Sequence, residues 1–305
     1  MPEHFADRLA ALVEERRSRV VLGLDPDPAK LWPGAVREID AGGAPGDAAA
    51  EAAEAVALHC RAAIEAAGPS CVAVKPQLAC FERLGAAGWA ALNATRDAAH
   101  EAGLLVLADG KRGDVPVTAA AYAQALVGST PTPYGPVQGL GADCFTVNPL
   151  LGRDSLEPLV DAAAEHGAGV FALVSTSNPG AADRQDLDAG GRPLHEHVAA
   201  LVDSIGAAHV GQCGLSLAGA VTGATRPERL ARLRELMPRA VFLLPGVGAQ
   251  GGDPAALADA FRPHPAAGLV TASRSIVNAY ADRGGDPAVA ARDAAAELQK
   301  TTWAL

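Results

Sequence analysis

The stretch "LLVLADGKRGDV" spans residues 104–115 and changes character half-way: an apolar run, then Asp109, Lys111, Arg112 and Asp114. A short Leu- and Val-rich run that stops at Asp and Gly reads as a buried strand emptying into a charged loop. Ordinary turn chemistry gives such loops, because Asp and Gly suit tight turns. A packed array of alternating charge at the mouth of an active site gives them too. The way the other strands end separates the two origins.

The same pattern recurs at "RVVLGLD" (19–25), "CVAVKPQ" (71–77), "DCFTVNP" (143–149), "GVFALVSTS" (169–177), "CGLSLAGAV" (213–221), "AVFLLPGVG" (240–248) and "GLVTASRSI" (268–276), eight runs with the first. Segments of helical period lie between or after them, near 48–67, 86–102, 115–127, 153–166, 195–208, 226–237, 254–262 and 287–299. At the start, Phe5, Leu9, Leu12 and Val13 share one helical face. Alternating strands and helices imply right-handed βαβ units and a parallel sheet. Eight units predict an α/β protein, a single (β/α)8 TIM barrel over residues 1–305 with loop insertions at 41–46, 128–141 and 178–193. A doubly wound open sheet is the alternative. It is weakened because no G-x-G-x-x-G opens a helix after the first strand.

Composition narrows the partners. With 25 Lys and Arg against 35 Asp and Glu, the chain carries a formal charge of −10, which disfavours nucleic acid and anionic membranes. An anionic ligand would have to meet positive charge concentrated locally. No run is long enough to span a bilayer, and the early charges argue against a signal peptide. Five cysteines without C-x-x-C spacing suit reduced thiols in a cytoplasm. His195 and His197, two apart in a helix, do not share a face, so no metal site is expected there.

In a parallel barrel the active site forms at the C-terminal strand ends. The eight runs end, in order, in Asp25, Lys75, Asp109 with Lys111, Asn148, Ser177, an apolar sixth, the glycines of "PGVGAQGG", and Arg274. One polar end is ordinary loop chemistry; seven are hard to assign to turns alone. Asp109 and Lys111, two apart, point to the same side of a strand. Asp114, further out, could fold back or reach a neighbouring subunit. Gly246, Gly248, Gln250 and Gly251 precede Asp253-Pro254, an N-cap with Pro at the first helical position, and free N–H groups beside a helix start bind anions. Arg274 can add a bidentate phosphate contact.

Together these residues resemble the orotidine 5′-phosphate decarboxylase family, particularly its longer bacterial (type 2) form. The resemblance runs through "GLDPDP" (23–28), "VKPQLACFE" (74–82), "ADGKRGDV" (108–115), "TVNPLLG" (146–152), "TSNPG" (176–180), "PGVGAQGGD" (245–253) and "SRSI" (273–276). It implies cofactor-independent conversion of orotidine 5′-phosphate to uridine 5′-phosphate in de novo pyrimidine biosynthesis, by a cytoplasmic homodimer with shared active sites. Lys75, Asp109, Lys111 and Asp114 match the family's alternating array, Asp114 coming from the partner subunit. Asp25 matches a ribose-hydroxyl contact, Thr118 a ribose contact across the dimer, Ser177 a pyrimidine contact, and Gln250 with Arg274 the phosphate grip. Asn148, Gly246, Gly248 and Gly251 complete the expected substrate-binding set. Ser273 departs from the pattern, since many relatives carry Gly before the Arg.

The chemistry needs these residue types. Losing CO2 from C6 of a pyrimidine leaves an in-plane lone pair that cannot delocalise into the ring, so a cation must stand beside it. Lys111 is the expected cation and proton donor, with flanking carboxylates favouring its charged form. A magnesium-dependent sugar-phosphate decarboxylase sharing D-x-K-x-x-D would want an acid where Lys75 lies. A non-catalytic nucleotide binder would have no use for two lysines and two carboxylates in one cluster.

Overall fold

The computed structural model describes residues 2–40, 47–247 and 252–305. Among them, eight parallel strands close into a barrel in chain order: β1 (Val20–Leu24), β2 (Ala73–Pro76), β3 (Leu105–Arg112), β4 (Cys144–Val147), β5 (Gly169–Ser175), β6 (Ser216–Thr222), β7 (Ala240–Pro245) and β8 (Gly268–Ala272), which pairs back to β1. Every residue of β1, β2, β4, β6 and β8 is buried. Helices cover one face and barrel-filling side chains the other, which is why these strands read as continuous apolar runs. Phe145 on β4, Phe171 on β5 and Phe242 on β7 are fully buried. Deleting one such ring would cost about 3–5 kcal/mol.

The expected helices form at Ala48–Ala67, Gly85–Glu101, Pro116–Leu126, Arg153–Glu165, Leu194–Gly206 and Pro287–Trp303. Two regions differ from the periodicity. The 226–237 segment divides into a 3-10 turn, Pro227–Arg229, and a shorter helix, Leu230–Leu236. The 254–262 segment is a 3-10 run, Pro254–Phe261, started by the Asp253 carboxylate on the Ala255 N–H and halted where Pro263 lacks a donor. The 128–141 insertion carries a small antiparallel hairpin, Ser129–Thr130 with Val137–Gln138. The 178–193 insertion folds into two short helical turns, Pro179–Ala181 and Ala182–Gln185. The insertion at 41–46 lies outside the described residues.

The N-terminal end of the barrel is closed by the helix Phe5–Arg16. Its Phe5 ring meets Phe171 edge-on at 6.1 Å, and its Arg16 donates to the carbonyls of Gly68, Cys71, Ala102 and Gly103. Buried Arg234 likewise donates to the carbonyls of Met237, Ala240, Ala260 and Ala267. Charge at this end satisfies orphan carbonyls. At the opposite end it converges on a cavity. Among the described residues no helix is long and apolar enough to cross a membrane.

Candidate active site

The β3 carboxylate Asp109, 5% exposed, is bonded on both oxygens. Lys111 Nζ lies 2.6 Å from Oδ1 and Lys75 Nζ 2.7 Å from Oδ2. Thr146 Oγ1 donates to Oδ1 at 2.9 Å and Gln77 Nε2 to Oδ2 at 3.2 Å. Burial disfavours its charge, but the Lys75 and Lys111 ammoniums outweigh burial and hold the carboxyl down at about 2. Burial likewise opposes the Lys75 charge, and the carboxylates of Asp109 and Asp25 overcome it, so that ammonium stays above its ordinary value. Taking one partner from such a buried pair strands the other charge, at a cost of about 3–5 kcal/mol.

Local backbone explains how Lys111 gets there. Its φ of 48° is left-handed, and the register between β3 and β4 shifts between Ala108 and Arg112. Strand alternation therefore ends at this residue. Its N–H donates to Thr146 Oγ1 at 2.9 Å, so one threonine hydroxyl fixes both the Lys111 backbone and the Asp109 carboxylate. A left-handed non-glycine residue is strained and persists where its surroundings over-determine it. Arg112, the remaining cation of the motif, turns away, pairing with Glu82 and lying 5.6 Å over the Tyr122 ring.

This array borders a cavity of about 620 Å³ that Asn148, Ser177 and the segment around Gln185 and His195 also line. A second cavity of about 210 Å³ holds Asp25, Gly246 and Arg274. Lys75 lines both, so the two adjoin across its side chain. Gly23 brings β1 against the turn before Arg274, where a Cβ would sit 2.7 Å from Ser273 Cβ. Gly113 lets the loop after β3 touch Asn148, where a Cβ would meet the Asn148 carbonyl at 2.6 Å. Asn148 itself turns its Oδ1 back onto the Leu150 N–H.

Of the residues expected from sequence, Asp25, Lys75, Asp109, Lys111, Asn148, Ser177, Gly246 and Arg274 therefore come together at one end of the barrel. Gly248, Gln250 and Gly251 lie outside the described residues. Asp114 and Thr118 line neither cavity of their own chain. The Asp114 Oδ1 accepts from the Val115 N–H, and its carbonyl from Ser155 Oγ. Sequence reasoning missed Thr146, Gln77 and Thr271. Thr271 is 5% exposed, lines the smaller cavity, and has a buried hydroxyl with no partner among the described residues. A hydroxyl or amide at the C-terminal end of an apolar strand is the signal all three share. His195 donates its ring N–H to the Gln185 carbonyl at 2.8 Å, and among the described residues no three His, Cys, Asp or Glu side chains gather as a metal site would require.

Comparison with known proteins agrees with this geometry. Residues 18–294 match the family described as orotidine 5′-phosphate decarboxylase / HUMPS. The chain belongs to that family. An orotidine 5′-phosphate decarboxylase of Deinococcus radiodurans is 40% identical over 300 residues, covering 98% of this chain and 97% of that protein. One from Rhodopirellula baltica is 40% identical over 276 residues, covering 90% and 89%. The solved OMP decarboxylase of Leishmania donovani superposes with a TM-score of 0.72 at 32% identity, over 99% of this chain and all of that one. Membership of the decarboxylase family makes the chain a carboxy-lyase.

Proposed function

We propose that this chain decarboxylates orotidine 5′-phosphate to uridine 5′-phosphate, a step of pyrimidine nucleotide synthesis. The observation that carries the reading is the buried Asp109 carboxylate held between the Lys75 and Lys111 ammoniums beside the large cavity. A nucleotide would span both cavities, with its pyrimidine against Lys111 and Ser177 and its phosphate toward Arg274 and Gly246. Asp25 and Lys75, between the two, suit the ribose hydroxyls. As the C6–carboxylate bond breaks, its electron pair stays on C6 and CO2 leaves. The Lys111 ammonium stabilises that pair and then donates a proton to C6, and neutral Lys111 regains one from water. Asp109, fixed by its four bonds, keeps Lys111 aimed and presents negative charge where the substrate carboxylate must sit. The chemistry asks for no cofactor.

The magnesium-dependent sugar-phosphate decarboxylase that would share the D-x-K-x-x-D pattern is disfavoured by one feature. It wants an acidic ligand at the end of β2, and there the Lys75 ammonium would repel a divalent cation. The decisive assay follows orotidylate absorbance with and without EDTA. We expect turnover at the same rate in both. Turnover lost with the chelator would overturn the cofactor-free mechanism.

The whole chain acts in this reading as one barrel domain, in a cytoplasm where its five free cysteines stay reduced. It works as a homodimer. Val117, 85% exposed in the first turn of the helix that follows Asp114, and Leu150, 81% exposed two residues after Asn148, present apolar surface beside these residues. The helix Pro116–Leu126 carries no charged residue on any face, a composition suited to burial. A second copy covering this face would bring its Asp114 and Thr118 to the neighbouring cavity.

A further inference from the structure

The segment after β5 forms part of the wall of the large cavity that Lys111 also lines, and its side chains form one continuous hydrogen-bond chain. Gln185 Oε1 accepts from the Thr176 N–H at 2.9 Å, and Gln185 Nε2 donates to Thr176 Oγ1 at 2.8 Å. That hydroxyl then donates to Asn178 Oδ1 at 2.7 Å. One amide thus fixes the residues on both sides of Ser177, which lines the cavity between them. Gln185 is itself anchored. Its carbonyl accepts from the ring of His195, 7% exposed, at 2.8 Å, and the next residue, Asp186, pairs with Arg229 at 2.8 Å. Arg229 stands on the turn after β6, so the clip is tied to two further elements of the barrel.

We propose that Gln185 is a positioning residue that holds Ser177 in register with the pyrimidine. The inference rests on the functional reading above, in which Ser177 meets the substrate ring. Gln185 acts through Thr176, whose N–H and hydroxyl it holds, and through that hydroxyl on the Asn178 side chain. A hydrogen bond to the pyrimidine amide needs the Ser177 hydroxyl placed to within a few tenths of an ångström. A loop whose neighbours were released would sample other positions. The clip fixes Thr176 at both its N–H and its hydroxyl, which is more than is needed to pin a surface loop.

The test is a double-mutant cycle between Gln185→Met, which keeps volume and removes both bonds, and Ser177→Ala. We expect Gln185→Met to lower kcat/KM for orotidylate by about tenfold in the parent, and the affinity for uridine 5′-phosphate with it. In the Ser177→Ala background the same change should cost less than about twofold, because the group being positioned is already gone. Thermal midpoints of all four proteins, followed in parallel, should agree to within a few degrees. Equal tenfold losses in both backgrounds would show Gln185 to be a structural clip and overturn the inference. So would a Ser177→Ala protein as active as the parent. A parent without orotidylate turnover would instead remove the functional reading itself.

Discussion

Lys111 is the residue on which most depends, and its surroundings make its removal informative. Its side chain is 44% exposed, and without it Asp109 keeps Lys75, Thr146 and Gln77 as partners. Lys111→Ala should therefore fold. It should lose turnover by more than about 10³-fold, the combined worth of a proton donor and a charge stabiliser. Binding of uridine 5′-phosphate, which relies on Arg274, Ser177 and Asp25, should stay measurable by titration calorimetry. Turnover within tenfold of the parent would take Lys111 out of the mechanism. The lysines and Asp109 were legible in the sequence because each sits where an apolar run ends. The geometry that joins them was not. Strand alternation predicts that Asp109 and Lys111 share a side, yet Lys111 is brought over by a left-handed backbone and a hydroxyl from β4. Which residue of one strand faces which of the next is a matter of register, and register is not written locally in either strand.

At the scale of elements, His59 joins three pieces that surround the Arg274 turn. It lies in the helix Ala48–Ala67, is 4% exposed, and its Nδ1 accepts from the Trp32 N–H at 3.1 Å. The Trp32 indole donates in turn to the Val277 carbonyl, just beyond Arg274. Burial pushes the His59 ring down from 6.5 to about 4. As pH falls through 6.5 the unfolded chain takes up the proton first, so stability declines between about 6.5 and 4 and levels off below. At 1.36 kcal/mol per unit the loss is about 3 kcal/mol. His59→Gln keeps an acceptor for Trp32 and cannot titrate. Its urea-unfolding free energy should fall less than the parent's across that range by about this amount, and parallel profiles would exclude His59 as the source. The barrel strands were plain in composition, since strands buried on both faces admit little but apolar residues. The His59 link was hidden. A histidine on an Ala-rich helix reads the same whether its ring is buried against a loop or not, and only tertiary packing decides. The 3-10 run at 254–261 escaped for a related reason, because apolar spacing over eight residues does not separate i+3 from i+4 bonding.

For the whole molecule the question is what completes the site. Asp114 matches the array by sequence, yet its carboxylate bonds to the adjacent Val115 N–H and lines neither cavity of its own chain. Around it the exposed surface is apolar: Val115, Val117, Leu150 and Leu151 are each more than half exposed. In a two-fold dimer formed through this face each site would draw Lys111 from one chain and Asp114 from the other. Lys111→Ala and Asp114→Ala homodimers should then both be nearly inactive, because every site in each carries a lesion. Mixed and allowed to exchange, they form dimers in which one site inherits both lesions and the other neither. Random pairing makes about half the dimers mixed, so roughly a quarter of parental activity should return. If Asp114 serves the Lys111 of its own chain, every site keeps one lesion and nothing returns. Light scattering establishes the dimer, and an affinity tag on one variant, capturing the untagged other, establishes exchange. With both in hand, absence of recovery would sink the shared site and leave Asp114 as the cap of its own loop.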